Sequence, residues 1–216
     1  MWHPFANSPQ EKAYNSEAHE VLFGYGAGGG KTSLCVGLAA TMHQRSLLLR
    51  REPTQCADMI DTLLRVVGSN GKWQRRGCGG TMVMDDRRTI AIGGCETEDD
   101  KFQYAGIPYD LIALDEVASF TKAQVDFILG LNRSDDPAQR CRILMTGNPP
   151  LPTNEHWLTR WFAPWLMMDW AQSGEILRGR TVIKATFRDN PYLAASEYGD
   201  ALLALPEPLR SSLAGS

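Results

Sequence analysis

The chain carries Gly24-Tyr25-Gly26-Ala27-Gly28-Gly29-Gly30-Lys31-Thr32 between a short apolar run and a longer amphipathic stretch. A chain of phosphates needs backbone N–H groups pointing inward with no side chains in the way, which explains the glycines, and it gains from the positive end of a following helix. Lys31 at the end of such a loop would reach the outer phosphates, and the Thr32 hydroxyl would ligate Mg2+. The strict spacing G-x-x-x-x-G-K-[ST] puts its first glycine at position 25, where Tyr25 stands between Gly24 and Gly26, so the loop is a variant. Further along, Leu111-Ile112-Ala113-Leu114 runs into Asp115-Glu116. An unbroken apolar run reads as a strand buried on both faces, and acids at its carboxyl end fall where ligands bind in open α/β sheets. There Asp115 would hold Mg2+, directly or through water, and Glu116 would orient an attacking water or accept its proton. A third run, Ile143-Leu144-Met145, ends in Thr146-Gly147-Asn148-Pro149-Pro150. If this strand neighbours the Asp115 strand, Thr146 or Asn148 can touch the terminal phosphate or the water.

Strands and helices must place these residues, and apolar runs of strand length do alternate with longer amphipathic stretches. That alternation reads as α/β with a largely parallel sheet. Ser8 as N-cap, Pro9 at the first helical position and Glu11 closing a capping box start a helix to about His19. A buried strand follows over 20–24, then the glycine loop, a helix from Lys31 to about His43 and a strand over 46–50. Thr54 caps a helix to Val67, on which Met59, Leu63, Val66 and Val67 recur at helical spacing. Residues 68–80, rich in glycine and basic side chains, read as an exposed loop. Segments 81–84 and 89–92, joined by Asp85-Asp86-Arg87-Arg88, read as a hairpin or two edge strands. Residues 111–114 and 143–145 read as central parallel strands, 181–187 as a last strand and 191–205 as a last helix.

Composition bounds the rest. The 216 residues include 22 Lys+Arg and 25 Asp+Glu, a formal net charge of −3, and 43% are hydrophobic, which excludes a mainly disordered chain. The longest apolar run, 161–168, is broken by Pro164 and is far shorter than the roughly 18 residues a membrane span needs. The N-terminus has no basic region followed by an apolar one, so nothing directs secretion and a cytoplasmic protein is the default. Cys35, Cys56, Cys78, Cys95 and Cys141 are widely spaced with no C-x-x-C, and read as reduced core or strand residues. His3, His19, His43 and His156 form no ligand set. Lys72, Arg75, Arg76, Arg87 and Arg88 make a basic segment, and seven acids against Lys101 make 96–116 acidic; charge alone names no partner. Trp157, Trp161, Trp165 and Trp170, with Phe162, recur at near-helical spacing and read as packing residues.

Five segments in order carry a resemblance: Pro9-Gln10, the 24–33 loop, Tyr104-Ala105-Gly106 before the acidic strand, the 146–149 strand end, and Phe187-Arg188-Asp189-Asn190-Pro191-Tyr192-Leu193. Together they resemble the ATPase domain of the tailed-phage terminase large subunit, a DNA-packaging motor, over nearly the whole chain. The resemblance implies a P-loop NTPase fold, with a mainly parallel central sheet flanked by helices, of the additional-strand, catalytic-glutamate type. Residues 1–216 would be one such domain, with 206–216 beginning a linker. It implies ATP bound by Gln10, Gly26, Ala27, Gly28, Gly29, Gly30, Lys31, Thr32 and Ser33, with Gln10 recognising adenine. Thr32 and Asp115 would hold Mg2+, Lys31 and Glu116 would be catalytic, and Thr146, Gly147 and Asn148 would couple hydrolysis to movement. The implied work is ATP hydrolysis driving double-stranded viral DNA into a capsid. The implied partners are that DNA, the portal protein, the small terminase subunit and further copies in a ring on the portal. No membrane is implied, and the place is the host cytoplasm, transiently at the procapsid.

Two departures modify the expectation. Some family members have an arginine in the phosphate loop where this chain has Ala27, so the transition-state cation would come from elsewhere, in cis or from a neighbouring subunit. Arg50, Arg51, Arg133 and Arg140 are the candidates, and Arg75 and Arg76 are the candidate DNA contacts. The family usually continues into a nuclease domain with clustered acids; Asp169, Asp189 and Asp200 form no such cluster, and nuclease activity is not expected. The competing readings are a helicase-like P-loop ATPase and a non-catalytic nucleotide-binding or assembly module of a truncated terminase.

Overall fold

The computed structural model describes residues 2–148, 156–167, 170–207 and 210. Pro149 and Pro150, Met168 and Asp169, and most of 206–216 lie outside the described residues. In chain order the elements are α1 (Pro9–Asn15), β1 (Glu20–Tyr25), α2 (Lys31–Thr41), β2 (Arg45–Arg50), α3 (Cys56–Val67), β3 (Gly71–Arg76), β4 (Gly79–Met84), β5 (Thr89–Gly94) and β6 (Leu111–Leu114). They continue with α4 (Lys122–Leu129), β7 (Arg142–Gly147), α5 (Trp157–Trp161), α6 (Ala163–Leu166), β8 (Arg180–Ala185), α7 (Pro191–Ala194) and α8 (Tyr198–Leu203). The chain forms two compact units, residues 1–3 with 32–145, and residues 4–31 with 146–216.

In the first unit the strands follow the order β3-β4-β5-β2-β6-β7. β2 pairs in parallel with β5 and β6, and β6 in parallel with β7. Leu47, Leu48 and Leu49 of β2 and all of β6 have no exposure, as strands covered on both faces require. On α3, Cys56, Met59, Leu63 and Val67 fall three or four residues apart and form one buried stripe. β3, β4 and β5 are joined in antiparallel register.

Segment 68–80 therefore corrects the sequence reading, because its middle is strand β3 and not a loop. β3 pairs on β4 from Gly71↔Met84 to Arg76↔Gly79, with a turn at Gly77-Cys78. As an edge strand it has only Gly71 and Trp73 partly covered, so its exposed Lys72, Gln74, Arg75 and Arg76 carry no apolar alternation to reveal it. Cys78 at that turn is exposed, not a core residue; all five cysteines are unbridged.

The second unit pairs β1 with β8 in parallel. Ser8 caps α1 by accepting from Glu11 N, but the Glu11 carboxylate takes the Asn7 N–H, so the box is displaced by one residue. α1 stops at Asn15, because Ser16 turns extended and its hydroxyl accepts from Ala18 N. The last helix is two: the Ser196 N–H closes α7 by donating to Leu193 O, and its hydroxyl accepts from Tyr198 N to open α8. Phe162 and Trp165 are buried and Trp157 and Trp161 partly so, whereas Trp170 is 58% exposed. Among the described residues no helix is long and apolar enough to cross a membrane.

A buried titratable group sits between α2 and β2. His43 is 2% exposed, its Nδ1 lies 3.6 Å from Asp110 Oδ1, and Asp110 accepts from the N–H groups of Gln44 and Arg45. Burial pushes the His43 pKa below its ordinary value, against the opposing pull of Asp110. The unfolded chain therefore binds the extra proton first, so stability is full above the unfolded histidine pKa of about 6.5 and declines as pH falls below it. Urea titrations at pH 7.5 and 5.5 are expected to show a lower midpoint at pH 5.5, and His43→Phe is expected to reduce that difference.

Candidate functional site

Near the end of β1 lies a buried Gly24 with φ +145°, where an added Cβ would lie 2.1 Å from the Gly147 carbonyl oxygen at the end of β7. Only glycine fits a backbone approach that close. Tyr25 follows at φ 110°, a conformation in which glycine is the usual residue, and the Lys184 ammonium sits 4.7 Å from its ring centroid. Gly26 donates to Ala185 O at 3.1 Å, which ties the loop to β8. The next glycines are hemmed from behind: a Cβ on Gly28 would meet Leu193, one on Gly29 would meet Ala185, and one on Gly30 would meet Gln10. Gln10 is buried and donates through Nε2 to Gly30 O at 3.2 Å, while its Oε1 accepts from Phe5 N.

Lys31 ends the loop. Its ammonium donates to Gly26 O at 2.9 Å and to Asn148 Oδ1 at 2.8 Å. Within the second unit the structure thus brings together Gln10, the glycines, Lys31, Gly147 and Asn148. Asn190 joins them by donating to Gly28 O at 2.8 Å, and it also caps α7. An Asn-Pro helix start is visible in sequence; its reach across 162 residues to the loop is not.

Thr32, the next residue along the chain, belongs to the first unit. Its hydroxyl donates to Asp115 Oδ2 at 2.9 Å. Asp115 is fully buried, and β2–β6 pairing of Leu49 with Leu114 sets Arg50 beside it. Arg50 donates to Asp115 Oδ2 through Nε at 2.9 Å and Nη2 at 2.7 Å, and Nη2 also reaches Thr32 Oγ1 at 3.1 Å. Its Nη1 is anchored on Gln55 O. Burial alone would lower the Arg50 pKa, but the charge of Asp115, its hydrogen bonds, and the charges of Glu116 and Asp58 hold it above the ordinary arginine value. Glu116 adopts the left-handed conformation, φ 55° and ψ 49°, as its carbonyl accepts from the Ser119 N–H and hydroxyl. Glu116 is half-buried, and holding a non-glycine residue in this region costs about 1 to 3 kcal/mol.

Ser33 accepts from Trp2 Nε1 at 3.0 Å, and the Trp2 ring lies where a Cβ on Gly37 would sit. Thr146 is fully buried on β7. Of the four arginines considered as fingers, Arg50 is the one bonded to Thr32 and Asp115. Arg51 donates to Ser119 O, Arg133 to Gly130 O at 3.5 Å, and Arg140 is exposed. Arg75 and Arg76 are exposed on β3, while Arg88 of the same basic segment is bonded to Asp86 and to Ala40 O. No group of three or more His, Cys, Asp or Glu that could hold a metal occurs among the described residues.

No protein-family model matches the sequence, and no curated protein matches it. Solved structures do. The large terminase of a thermophilic bacteriophage is similar at TM-score 0.72 and 15% identity, over 98% of this chain and 53% of that one. The chain therefore spans about half the length of that terminase, which has also been solved in complex with ADP and with ATP-gamma-S. The large terminase ATPase domain of Thermus phage P74-26 is similar at TM-score 0.60 and 15% identity, over 95% of this chain and 91% of that one. The N-terminal domain of the DNA packaging ATPase from bacteriophage phi29 is similar at TM-score 0.51 and 9% identity, over 77% of this chain and 90% of that one. At such identities the likeness is one of architecture, and the chain has the α/β fold of the ATPase domains of phage large terminases.

Proposed function

We propose that this chain, both units together, is a P-loop ATPase of the catalytic-glutamate type that drives double-stranded viral DNA into a capsid as the motor domain of a large terminase. The observation that carries the reading is the glycine loop after β1 ending in Lys31, held by Gly26 O and Asn148, and followed at once by Thr32 bonded to Asp115. The solved terminase structures with the same fold, two of them holding ADP or ATP-gamma-S, support it.

The residues fit the groups the reading requires. Thr32 and Asp115 offer neighbouring hard oxygen donors, and Mg2+ is usually held by one or two carboxylates with substrate phosphates completing its shell. Bound there, the ion would neutralise charge on the phosphate oxygens. Lys31 exchanges Gly26 O and Asn148 Oδ1 for phosphate oxygens, and the loop amides with the α2 N-terminus cradle the chain of phosphates. Gln10, already against Gly30, recognises the base. Glu116 orients the attacking water and takes its proton. Asn148 loses its lysine when phosphate arrives and regains it when phosphate leaves, so Thr146-Gly147-Asn148 passes the state of the site to the DNA-gripping parts. Portal protein, small terminase and a ring of copies complete the machine, at the procapsid in the host cytoplasm.

ATP turnover by the purified chain, with double-stranded DNA and portal added, tests the reading. Phosphate release above background is expected, and none under any of these conditions sinks the motor and leaves a nucleotide-binding or assembly module. Arg75 and Arg76 contact DNA phosphates in this reading. Replacing both with alanine is expected to weaken duplex binding and to flatten the log–log salt dependence by about 2, near 0.9 per phosphate contact. An unchanged slope moves the contact elsewhere.

A further inference from the structure

The two oxygen donors assigned to the divalent ion are not idle. One nitrogen, Arg50 Nη2, lies 2.7 Å from Asp115 Oδ2 and 3.1 Å from Thr32 Oγ1, and Nε of the same guanidinium adds a 2.9 Å bond to Asp115. Asp115 has no exposure and Arg50 only 13%, so the pair is shielded from water and each charge depends on a partner nearby. A guanidinium cannot lose its proton in a protein. The cation is thus permanent, and it stands on the ligand pair.

We propose that Arg50 is a resident stand-in for the divalent ion: it holds Thr32 and Asp115 in place while nucleotide is absent, and a divalent ion binds there only by displacing it. This rests on the reading of Thr32 and Asp115 as metal ligands. Two features of the fold support it. The parallel register of β2 and β6 runs to Leu49↔Leu114, so Arg50 and Asp115 follow it on adjoining strand ends and the sheet brings the two side chains within reach. The Nη1 bond to Gln55 O gives the guanidinium a second anchor that involves neither Thr32 nor Asp115 and so remains when Asp115 is taken. Arg50 is then a positioning residue in cis that sets how readily metal enters, and the trans-acting cation is a different arginine.

Mn2+ alone, and Mn2+ with saturating ADP, are the probes, read from the free-ion electron paramagnetic resonance signal. Arg50→Gln is expected to bind Mn2+ at least tenfold more tightly than the native chain in both conditions, and to unfold at a lower temperature without ligand. A merely structural role predicts the lower melting temperature and no gain in metal affinity. Arg50→Lys keeps one point charge without the fork and is expected to fall between, which serves where Arg50→Gln does not fold. Asp115→Asn added to Arg50→Gln is expected to abolish the gain. Equal or weaker Mn2+ binding in the variant overturns the proposal, as does a gain that survives Asp115→Asn. Failure of any chain to bind ADP overturns the nucleotide reading instead, while Mn2+ alone still decides the role of Arg50.

Discussion

Gly24→Ala is expected to lose a large part of the stability of the native chain. The new methyl would lie 2.1 Å from the Gly147 carbonyl oxygen and 3.1 Å from Lys31 Cδ, and the residue would keep φ +145°. Gly147 O is backbone at the end of β7 and Lys31 is held by Gly26 O and Asn148, so neither yields cheaply. Positive-φ strain and overpacking each cost about 1 to 3 kcal/mol, and together about 2 to 6 out of a typical 5 to 15. Gly68→Ala is the control, because Gly68 also has positive φ, +58°, but has nothing within 4 Å of its added Cβ. It is expected to cost the strain alone, about 1 to 3 kcal/mol. Urea unfolding of the two variants separates strain from collision. Equal midpoints would mean that Gly24 and Gly147 do not lie against each other as described.

Glu116→Gln is expected to abolish turnover while leaving nucleotide binding intact. The amide keeps the size and hydrogen-bonding reach of the carboxylate but cannot accept a proton from water. General-base catalysis contributes about 10²- to 10⁴-fold, so the rate is expected to fall at least a hundredfold. Fluorescent-nucleotide binding should change by less than about threefold, well under 1 kcal/mol. A variant that hydrolyses ATP at the native rate removes Glu116 from the chemistry and points to another base. A variant that loses binding as well points to disruption of the left-handed turn at Glu116 and Ser119.

Sequence made visible what repeats or stands out locally. β6 is an unbroken apolar run and β2 and β7 each hold one, at 47–49 and 143–145, and glycines crowd around the loop after β1. What it hid is non-local or faintly patterned. β3 has one half-buried aromatic, Trp73, among exposed basic and polar residues, because an edge strand with one covered face needs no more. The split between α7 and α8 depends on one serine serving two hydrogen bonds, which no propensity separates from a helix interior. In the site, the loop and the Asp115 strand end were legible from residue type and order. Arg50 was visible only as one arginine of four, since its bond to Asp115 across 65 residues depends on strand order and register. Asn190 was hidden for the same reason.

The tyrosine at position 25 bears on how such loops are recognised. A pattern written in amino-acid letters requires glycine there and passes this chain over. Yet the backbone at Tyr25 turns at φ 110°, through the region a glycine would occupy, and its ring is engaged by Lys184. At this position, then, a tyrosine carries a backbone torsion that glycine usually supplies.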